Sequence, residues 1–144
     1  MNILRECTYK DLDELCKISC KTFDDAFGHL NIEDNMKIYL EQAFNKDKLK
    51  KELSNRFSFF YFLYSNDNLI GYLKLNEYDS QSDIKDPDSM EIERIYVVED
   101  YQGKGLGSIL IDKAVNEANK KNKNYLWLGV WEKNRSAIRF YNRK

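Results

Sequence analysis

Residues 90–108, MEIERIYVVEDYQGKGLGS, constrain the fold of this chain more than any other segment. The first part is rich in β-branched and aromatic residues and predicts a strand over residues 92–98, which stops at charged turn residues. After three alternating glycines, apolar residues recur at helical spacing. These residues are Ile109, Leu110, Ala114, Val115 and Ala118. The segment therefore predicts a strand, a glycine-rich loop and an amphipathic helix.

The glycine-rich loop has the properties of a phosphate site. Gly103, Gly105 and Gly107 carry no Cβ, so backbone N–H groups can approach a ligand, and the start of the helix adds a partial positive charge. Lys104 places a full positive charge in the same loop. The alternative is a tight turn into a helix that binds nothing.

Two other phosphate-binding loops do not fit the sequence. A Walker loop needs G-x-x-x-x-G-K-[ST], and the chain does not contain it. A dinucleotide fingerprint that starts at Gly103 needs glycine at position 108, where this chain has Ser108. The run EIERIYV is also less uniformly apolar than the buried strand that precedes such a fingerprint.

The pattern Gln102-x-x-Gly105-x-Gly107 after a strand, followed by Asn134 and by Phe140-Tyr141, resembles the GNAT acetyltransferases, which bind acetyl-CoA. The runs IERIYV, WLGVWEKN and AIRFY resemble the PaiA-type polyamine acetyltransferases in particular. The resemblance covers the whole chain and implies an α/β fold with a mixed, mainly antiparallel sheet flanked by helices. It also implies an acetyl-CoA-dependent N-acetyltransferase. Glu99 stands where proline is common in the family, which should alter the turn more than the chemistry.

The resemblance further implies which residues hold acetyl-CoA. Backbone groups of residues 95–97 would bind the pantetheine arm like an added strand, and amides of residues 102–108 would bind the pyrophosphate. Asn134 would cap the last helix and also contact the cofactor. The predicted cofactor-binding residues are Ile95, Tyr96, Val97, Gln102, Gly103, Lys104, Gly105, Leu106, Gly107, Ser108 and Asn134.

Two side chains are candidates for the proton transfers of an acetyl transfer. Alternation along Glu91-Ile92-Glu93-Arg94 places both carboxylates on one side of the strand, and Glu93 is the candidate base, ahead of Glu91. Either carboxylate could instead bind the ammonium group of the acceptor, and Glu93 could instead form a salt bridge with Arg94 or a lysine. The resemblance places a phenol beside the cofactor sulfur, so Tyr141 is the candidate acid for the thiolate. The alternative role for Tyr141 is that of an aromatic core residue.

Composition predicts a single domain without a broad electrostatic target. The chain has 144 residues, 42% hydrophobic and 14% aromatic, which suffices for one compact domain over residues 1–144. Its formal net charge of −1 gives no field that would favour nucleic acid or an anionic membrane. No signal peptide or spanning segment is recognisable, which predicts a cytoplasmic protein. Cys7, Cys16, Cys20 and His29 form no metal-binding pattern, so we expect reduced thiols and no metal.

The remaining sequence predicts early helices and a hairpin. Helix and strand patterns predict a first strand at residues 2–6, a helix from Thr8 to near Phe23, helices around residues 36–44 and 47–53, and a hairpin of residues 57–64 and 69–75. Gly71 within the hairpin could mark a bulge or close packing. Residues 78–89 are too polar for a core and predict a loop.

Near the C-terminus, we expect a strand at residues 125–131 and a last helix from Asn134 through Phe140. Members of the resembling family usually continue through a closing pair of strands, so the sheet is expected to lack them and further chain is expected after Lys144. If the chain does end there, the uncovered edge of residues 125–131 would invite pairing with another chain, for example in a homodimer.

The expected acceptor is a small cationic amine. Six acidic residues precede or lie on the central strand: Asp79, Asp83, Asp86, Asp88, Glu91 and Glu93. This acidic group and the PaiA-type resemblance favour a polyamine such as spermidine or spermine, whereas the acidic residues alone could be a solvated loop. Acetylation of a protein or peptide amine and a non-catalytic acetyl-CoA-binding regulator remain alternatives.

Overall fold

The computed structural model describes residues 2–27, 33–128 and 139–142, and for residues 27, 33–35 and 139–142 it describes the backbone alone. The described strands are β1 (Asn2–Glu6), β2 (Ser58–Ser65), β3 (Asn68–Glu77), β4 (Ser89–Val97), β5 (Tyr125–Leu128) and β6 (Arg139–Asn142). The described helices are α1 (Leu12–Phe27), α2 (Glu33–Ala43), α3 (Lys46–Ser54) and α4 (Leu106–Lys120).

The strands form one six-stranded sheet in the order β1-β2-β3-β4-β5-β6. Every neighbouring pair is antiparallel except β4 and β5, which are parallel and are connected through α4. This is the mixed, mainly antiparallel α/β sheet that the resemblance implied, and the fold class is therefore confirmed.

The helices cover the two faces of the sheet separately. Helix α4 packs on β3, β4 and β5, while α1 contacts β4 and α3, and α3 contacts β2. The core consists of buried apolar side chains from the helices and from the sheet, including Leu15, Leu49, Phe62, Leu73, Ile92, Leu110 and Ala114. Gly71 marks close packing here, because a Cβ at this position would lie 2.8 Å from the Tyr96 carbonyl oxygen and 3.6 Å from Leu110 Cδ1.

The first helix begins as the sequence predicts but extends further. Thr8 caps a short 3₁₀ turn, Tyr9–Asp11, with a capping box: Lys10 N–H donates to the Thr8 side chain, and the Asp11 carboxylate accepts from Thr8 N–H. Helix α1 then continues to Phe27, beyond the predicted end near Phe23. The turn-like residues Asp24 and Asp25 did not end it, and Lys21 pairs with Asp25 one helical turn away at 3.5 Å.

The predicted hairpin forms with a two-residue turn. Strands β2 and β3 are joined at Asn66 and Asp67, both of which have positive φ, 48° and 73°. Asn and Asp tolerate this conformation better than most residues, and it matches the twist of the flanking strands. The sequence therefore predicted the hairpin and its turn correctly.

The predicted last helix, residues 134–140, is wrong at residues 139 and 140, which lie in strand β6 (Arg139–Asn142). Residues 129–138 lie outside the described part of the chain. Phe140 and Tyr141 are strand-forming residues, and β6 pairs antiparallel with β5 in the register Leu126↔Tyr141 and Trp127↔Phe140. The edge of β5 is therefore covered, contrary to the expectation of an open edge. The argument for a homodimer through that edge no longer applies, and the oligomeric state stays a prediction.

The polar loop between β3 and β4 is anchored to the fold. Gln81 is 1% exposed, and its side-chain amide oxygen Oε1 accepts from Ser89 Oγ at 2.8 Å and from Trp127 Nε1 at 2.7 Å. Lys123 is 2% exposed and donates to the Pro87 carbonyl oxygen at 2.9 Å. Buried polar groups with such partners fix the path of the chain. The loop was predicted, but its attachment to β5 was not.

Candidate active site

The glycine loop connects β4 to α4 and leaves space for a ligand. Gly103 and Gly105 have positive φ, 79° and 75°, a conformation that glycine adopts without strain. A Cβ added at Gly103, Gly105 or Gly107 would meet no atom within 4 Å. Helix α4 begins after Gly105 without any side-chain cap, so its first N–H groups are available to an anion.

Side chains of the loop fix its position relative to β4. Gln102 Nε2 donates to the Val97 carbonyl oxygen at 3.0 Å, which ties the loop to the last residue of the strand. Lys104 Nζ lies 5.4 Å from the centre of the Tyr101 ring, a cation–π distance. The exposed Lys104 ammonium is therefore held beside the glycines.

Among the residues that the structure describes, strand β4 has no neighbour on the β5 side as it approaches this loop. Among the described residues, β5 pairs with β4 only at Ser89, Met90 and Glu91, whereas β3 follows β4 as far as Val97. The predicted pantetheine-binding residues Ile95, Tyr96 and Val97 lie on the part that β5 does not cover. An unpaired strand edge can accept an extended ligand through backbone hydrogen bonds.

A β-bulge places Glu93 in the middle of β4. Lys74 pairs with Arg94 and Leu75 pairs with Ile92, so Glu93 is the extra residue. Simple alternation would put Arg94 on the face opposite Glu93. The bulge instead allows Glu91, Glu93 and Arg94 to contact groups on the same face of the sheet.

Four charged side chains form a network around this bulge. Lys74 Nζ lies 2.7 Å from Glu93 Oε1 and 3.0 Å from Glu52 Oε1. Arg94 Nη1 lies 2.9 Å from Glu52 Oε1, and Arg94 Nη2 lies 3.3 Å from Glu93 Oε2. The Nη1 contact is an ion pair by distance, although its geometry does not make a hydrogen bond. The salt bridge considered as an alternative for Glu93 is thus present, with both cations.

The two carboxylates of β4, of which the sequence favoured Glu93 over Glu91, have different surroundings. Glu91 is 2% exposed; its Oε1 accepts from Ser82 N–H at 2.8 Å and from Asn76 Nδ2 at 3.0 Å, and its Oε2 accepts from Ser82 Oγ. The Glu93 side chain is 26% exposed. Glu91 is therefore a buried anchor, and Glu93 is the carboxylate that a substrate can reach.

The surroundings also set the proton affinity of Glu93. Burial by itself raises the pKa of this carboxyl, but attraction to Lys74 and Arg94, with hydrogen bonds from Lys74 and Asn76, outweighs burial and leaves the pKa below the ordinary glutamate value. Glu93 is consequently ionised at neutral pH.

Tyr96 borders the network on the same face as Glu93. Its ring stacks on that of Tyr72 across the strands, with centroids 5.9 Å apart and planes at 29°. Burial is the main cause that raises the pKa of Tyr96, with Tyr39 and Glu93 adding to it. The phenol is therefore protonated at neutral pH and can donate a hydrogen bond.

The structure does not bring every predicted site residue together. Tyr141 lies on β6 opposite Leu126, which pairs with Met90 at the start of β4, away from residues 95–97. Asn134 and His29 lie outside the described residues. The catalytic role of Tyr141 and the cofactor role of Asn134 stay predictions.

The acidic loop residues do not converge on Glu93 as a group. Asp86 is engaged within the loop and with β5: its Oδ1 accepts from Asp88 N–H at 2.8 Å and its Oδ2 accepts from Tyr125 Oη at 3.0 Å. Asp79, Asp83 and Asp88 are exposed. Their surroundings fit the alternative of a solvated acidic loop.

Sequence reasoning missed three residues of the site. Lys74 and Asn76 alternate as polar positions in the apolar run LIGYLKLN, a pattern that places them on one face of the strand. That pattern could have suggested partners for Glu91 and Glu93. Glu52 on α3 gave no comparable signal, because a glutamate in a lysine-rich helix is usually exposed.

Comparison with known proteins decides the family. The model of the acetyltransferase (GNAT) family matches residues 13–144. The chain belongs to the GNAT acetyltransferase family. It is 45% identical over 132 residues, 92% of this chain and 76% of the other, to a protein of Lactobacillus delbrueckii subsp. lactis described as an uncharacterized N-acetyltransferase. This chain is therefore an acetyl-CoA-dependent N-acetyltransferase.

Solved structures share the fold of this GNAT chain. PaiA N-acetyltransferase from Thermoplasma acidophilum, solved in complex with coenzyme A, has a TM-score of 0.79 and 21% identity over 94% of this chain and 83% of that chain. Ribosomal-protein-alanine N-acetyltransferase from Brucella melitensis biovar Abortus 2308 has a TM-score of 0.68 and 17% identity over 94% and 87%. These likenesses confirm the GNAT fold and leave the acceptor open.

Two further features bear on partners of this acetyltransferase. Within the residues that the structure describes, no group of three or more His, Cys, Asp or Glu side chains could hold a metal ion. In the same residues, no helix is both long enough and apolar enough to cross a membrane.

Proposed function

We propose that the protein transfers the acetyl group of acetyl-CoA to a primary amine of a small polyamine such as spermidine or spermine. The observation that carries this proposal is the unequal exposure of the charged network. The cationic side chains Lys74 and Arg94 are 6% and 11% exposed, whereas the Glu93 carboxylate is 26% exposed. An approaching acceptor therefore meets a negative charge, which complements an ammonium group.

The glycine loop and the open edge of β4 suit the other substrate. Backbone groups of residues 95–97 would bind the pantetheine arm, and the uncapped start of α4 with Gly103, Gly105 and Gly107 would bind the pyrophosphate. Lys104 adds charge at that end. This arrangement would direct the thioester along β4 towards Glu93.

In the reaction, the neutral amine nitrogen attacks the carbonyl carbon of the thioester. A C–N bond forms, the C–S bond breaks, the amine gives up a proton and the departing thiolate takes one up. The lowered pKa of Glu93 makes it a weak proton acceptor, so we assign it mainly to binding the acceptor ammonium. By resemblance, Tyr141 would protonate the thiolate, and Asn134 would contact the cofactor.

Two features support a polyamine over other acceptors. The PaiA-type resemblance concerns polyamine acetyltransferases, and the fold is shared with a protein named PaiA N-acetyltransferase. The net charge of −1 also gives no reason to expect nucleic acid or a membrane as a target. We therefore propose a small-molecule partner.

The test is the release of coenzyme A thiol from acetyl-CoA, measured over spermidine, spermine, diamines, amino acids and peptides. We expect spermidine or spermine to give the highest kcat/KM, and this value should fall with added salt because ionic capture is screened. Turnover confined to peptides or neutral amines would replace the polyamine by another acceptor. Acetyl-CoA binding without turnover of any amine would identify a regulator.

A further inference from the structure

A row of polar side chains crosses three strands next to the bulge. Ser58 on β2, Asn76 on β3 and Glu91 on β4 are register partners. Ser58 Oγ donates to Asn76 Oδ1 at 2.8 Å, and Asn76 Nδ2 donates to Glu91 Oε1 at 3.0 Å. Asn76 is 0% exposed, so all its hydrogen bonds must come from the protein or internal water.

The same amide nitrogen also holds Glu93. Asn76 Nδ2 donates to Glu93 Oε1 at 2.7 Å, so its two protons serve two carboxylates. The bond from Ser58 fixes the carbonyl side of the amide and thereby directs the nitrogen towards β4. Glu91 is in turn held by Ser82 of the polar loop, so Asn76 is fixed on every side.

We propose that Asn76 is a positioning residue for acetyl transfer, which holds the Glu93 carboxylate on the bulge in the orientation that meets the acceptor. The inference rests on the proposed function of Glu93. Lys74 and Arg94 supply charge but have long side chains, whereas the short amide fixes one carboxylate oxygen at a defined place. The alternative is that Asn76 serves only as a hydrogen-bond donor to the buried Glu91 carboxylate.

The charged and titratable groups that bear on Glu93 come from three elements. Lys74 belongs to β3, Arg94 and Tyr96 to β4, and Glu52 on α3 shares the ammonium of Lys74. None of these groups is removed when Asn76 is replaced. Asn76→Asp adds a charge of its own, so the effect of the amide's orientation alone is measured in Ser58→Ala, which adds none.

Asn76→Asp is the main test, because it keeps the size of the side chain, removes both N–H donors and adds a negative charge. Side-chain carboxyl NMR should show a higher pKa for Glu93 than in the wild type, because the carboxylate loses a hydrogen bond and gains a like charge. The kcat/KM for spermidine should fall about 10-fold to 100-fold, which is the range expected for the loss of one hydrogen bond to a charged group. The KM for acetyl-CoA should not change.

Ser58→Ala is the milder variant if Asn76→Asp does not fold. It keeps Asn76 but removes the hydrogen bond that orients the Asn76 amide. The pKa of Glu93 and the kcat/KM should therefore change in the same directions as in Asn76→Asp, but by smaller amounts. Gln81→Glu is the matched control, since it makes the same chemical change at another buried amide. It should lower stability without altering the pKa of Glu93.

An unchanged pKa of Glu93 in Asn76→Asp and Ser58→Ala, or in Ser58→Ala alone if Asn76→Asp does not fold, would overturn the proposal and leave Asn76 as a partner of Glu91 alone. A raised pKa with wild-type kcat/KM would contradict the function assigned to Glu93, and with it the positioning role, while leaving the contact itself intact.

Discussion

The Lys74 ammonium lies 2.7 Å from Glu93 Oε1 and 3.0 Å from Glu52 Oε1, so one buried cation joins the central strand to helix α3. The Lys74 side chain is 6% exposed and also lies 5.4 Å from the centre of the Phe60 ring. A cation in this position holds together two carboxylates that would otherwise repel each other. The network is thus part of the fold as well as of the site.

Lys74→Met should destabilise the protein strongly. Methionine keeps the apolar stem but leaves Glu52 and Glu93 with Arg94 as their one remaining cation in the network, and breaking a buried ion pair costs about 3–5 kcal/mol. Urea unfolding measures this loss. Lys46→Met is the control, because the Lys46–Asp13 pair is exposed and should contribute little. Equal stability of the two variants would contradict the structural role of Lys74.

Gly107→Val should weaken acetyl-CoA binding without disturbing the fold. A Cβ at Gly107 meets nothing within 4 Å and the residue does not have positive φ, so the protein itself has room for the side chain. Calorimetry should show at least about a 10-fold higher Kd, because the added side chain enters the space assigned to the pyrophosphate. Asn116→Val, at an exposed position further along α4, controls for valine in this helix. Unchanged affinity in a folded Gly107→Val protein would remove the loop from the cofactor site.

The contribution of Glu93 to stability should depend on pH in the acid range. Its pKa is lower in the folded than in the unfolded protein, so ionised Glu93 stabilises the fold above the ordinary value of 4.5, and this contribution disappears as the pH falls through the folded pKa. The difference in the free energy of unfolding between wild type and Glu93→Gln should be constant near neutral pH and shrink below about pH 4.5. Glu41→Gln, at an exposed glutamate of α2, controls for the loss of one charge. A difference that grows on acidification would have the wrong sign.

Tyr141→Phe tests a residue whose predicted catalytic role comes from the family resemblance, whereas the sheet register places it away from residues 95–97. The phenol has a reference pKa of about 10 and can supply a proton at neutral pH. If it protonates the thiolate, kcat should fall by about 10²-fold while acetyl-CoA affinity is unchanged. Single-turnover rates would show that chemistry is limiting. Wild-type kcat would assign Tyr141 to strand packing, in keeping with its place on β6.

The sequence predicted those parts of the fold that depend on local patterns. The hairpin at Asn66 and Asp67, the cap at Thr8 and the glycine loop all follow from residue types at fixed spacings. The end of α1 was missed because pairing and packing outweighed the turn preference of Asp24 and Asp25. Strand β6 was missed because its formation depends on the edge of β5, a contact between segments.

The site was predictable only in part for the same reason. Alternation correctly placed Glu91 and Glu93 on one side of β4. Nothing in the run EIER shows the bulge that brings Arg94 to the same cluster, because a bulge is defined by the register with β3. Lys74 and Asn76, which contact Glu93, come from β3, and Glu52, which contacts Lys74 and Arg94, comes from α3. These contacts required the structure.

The most direct test of the whole account is the kcat/KM for spermidine in Glu93→Gln, measured by coenzyme A release and compared with wild type. Glutamine keeps the size of the side chain and removes only the charge that the acceptor ammonium would meet. We predict a fall of about 10-fold to 100-fold, with unchanged affinity for acetyl-CoA. A folded Glu93→Gln protein with wild-type kcat/KM for spermidine would contradict the assignment of Glu93 as the acceptor-binding group.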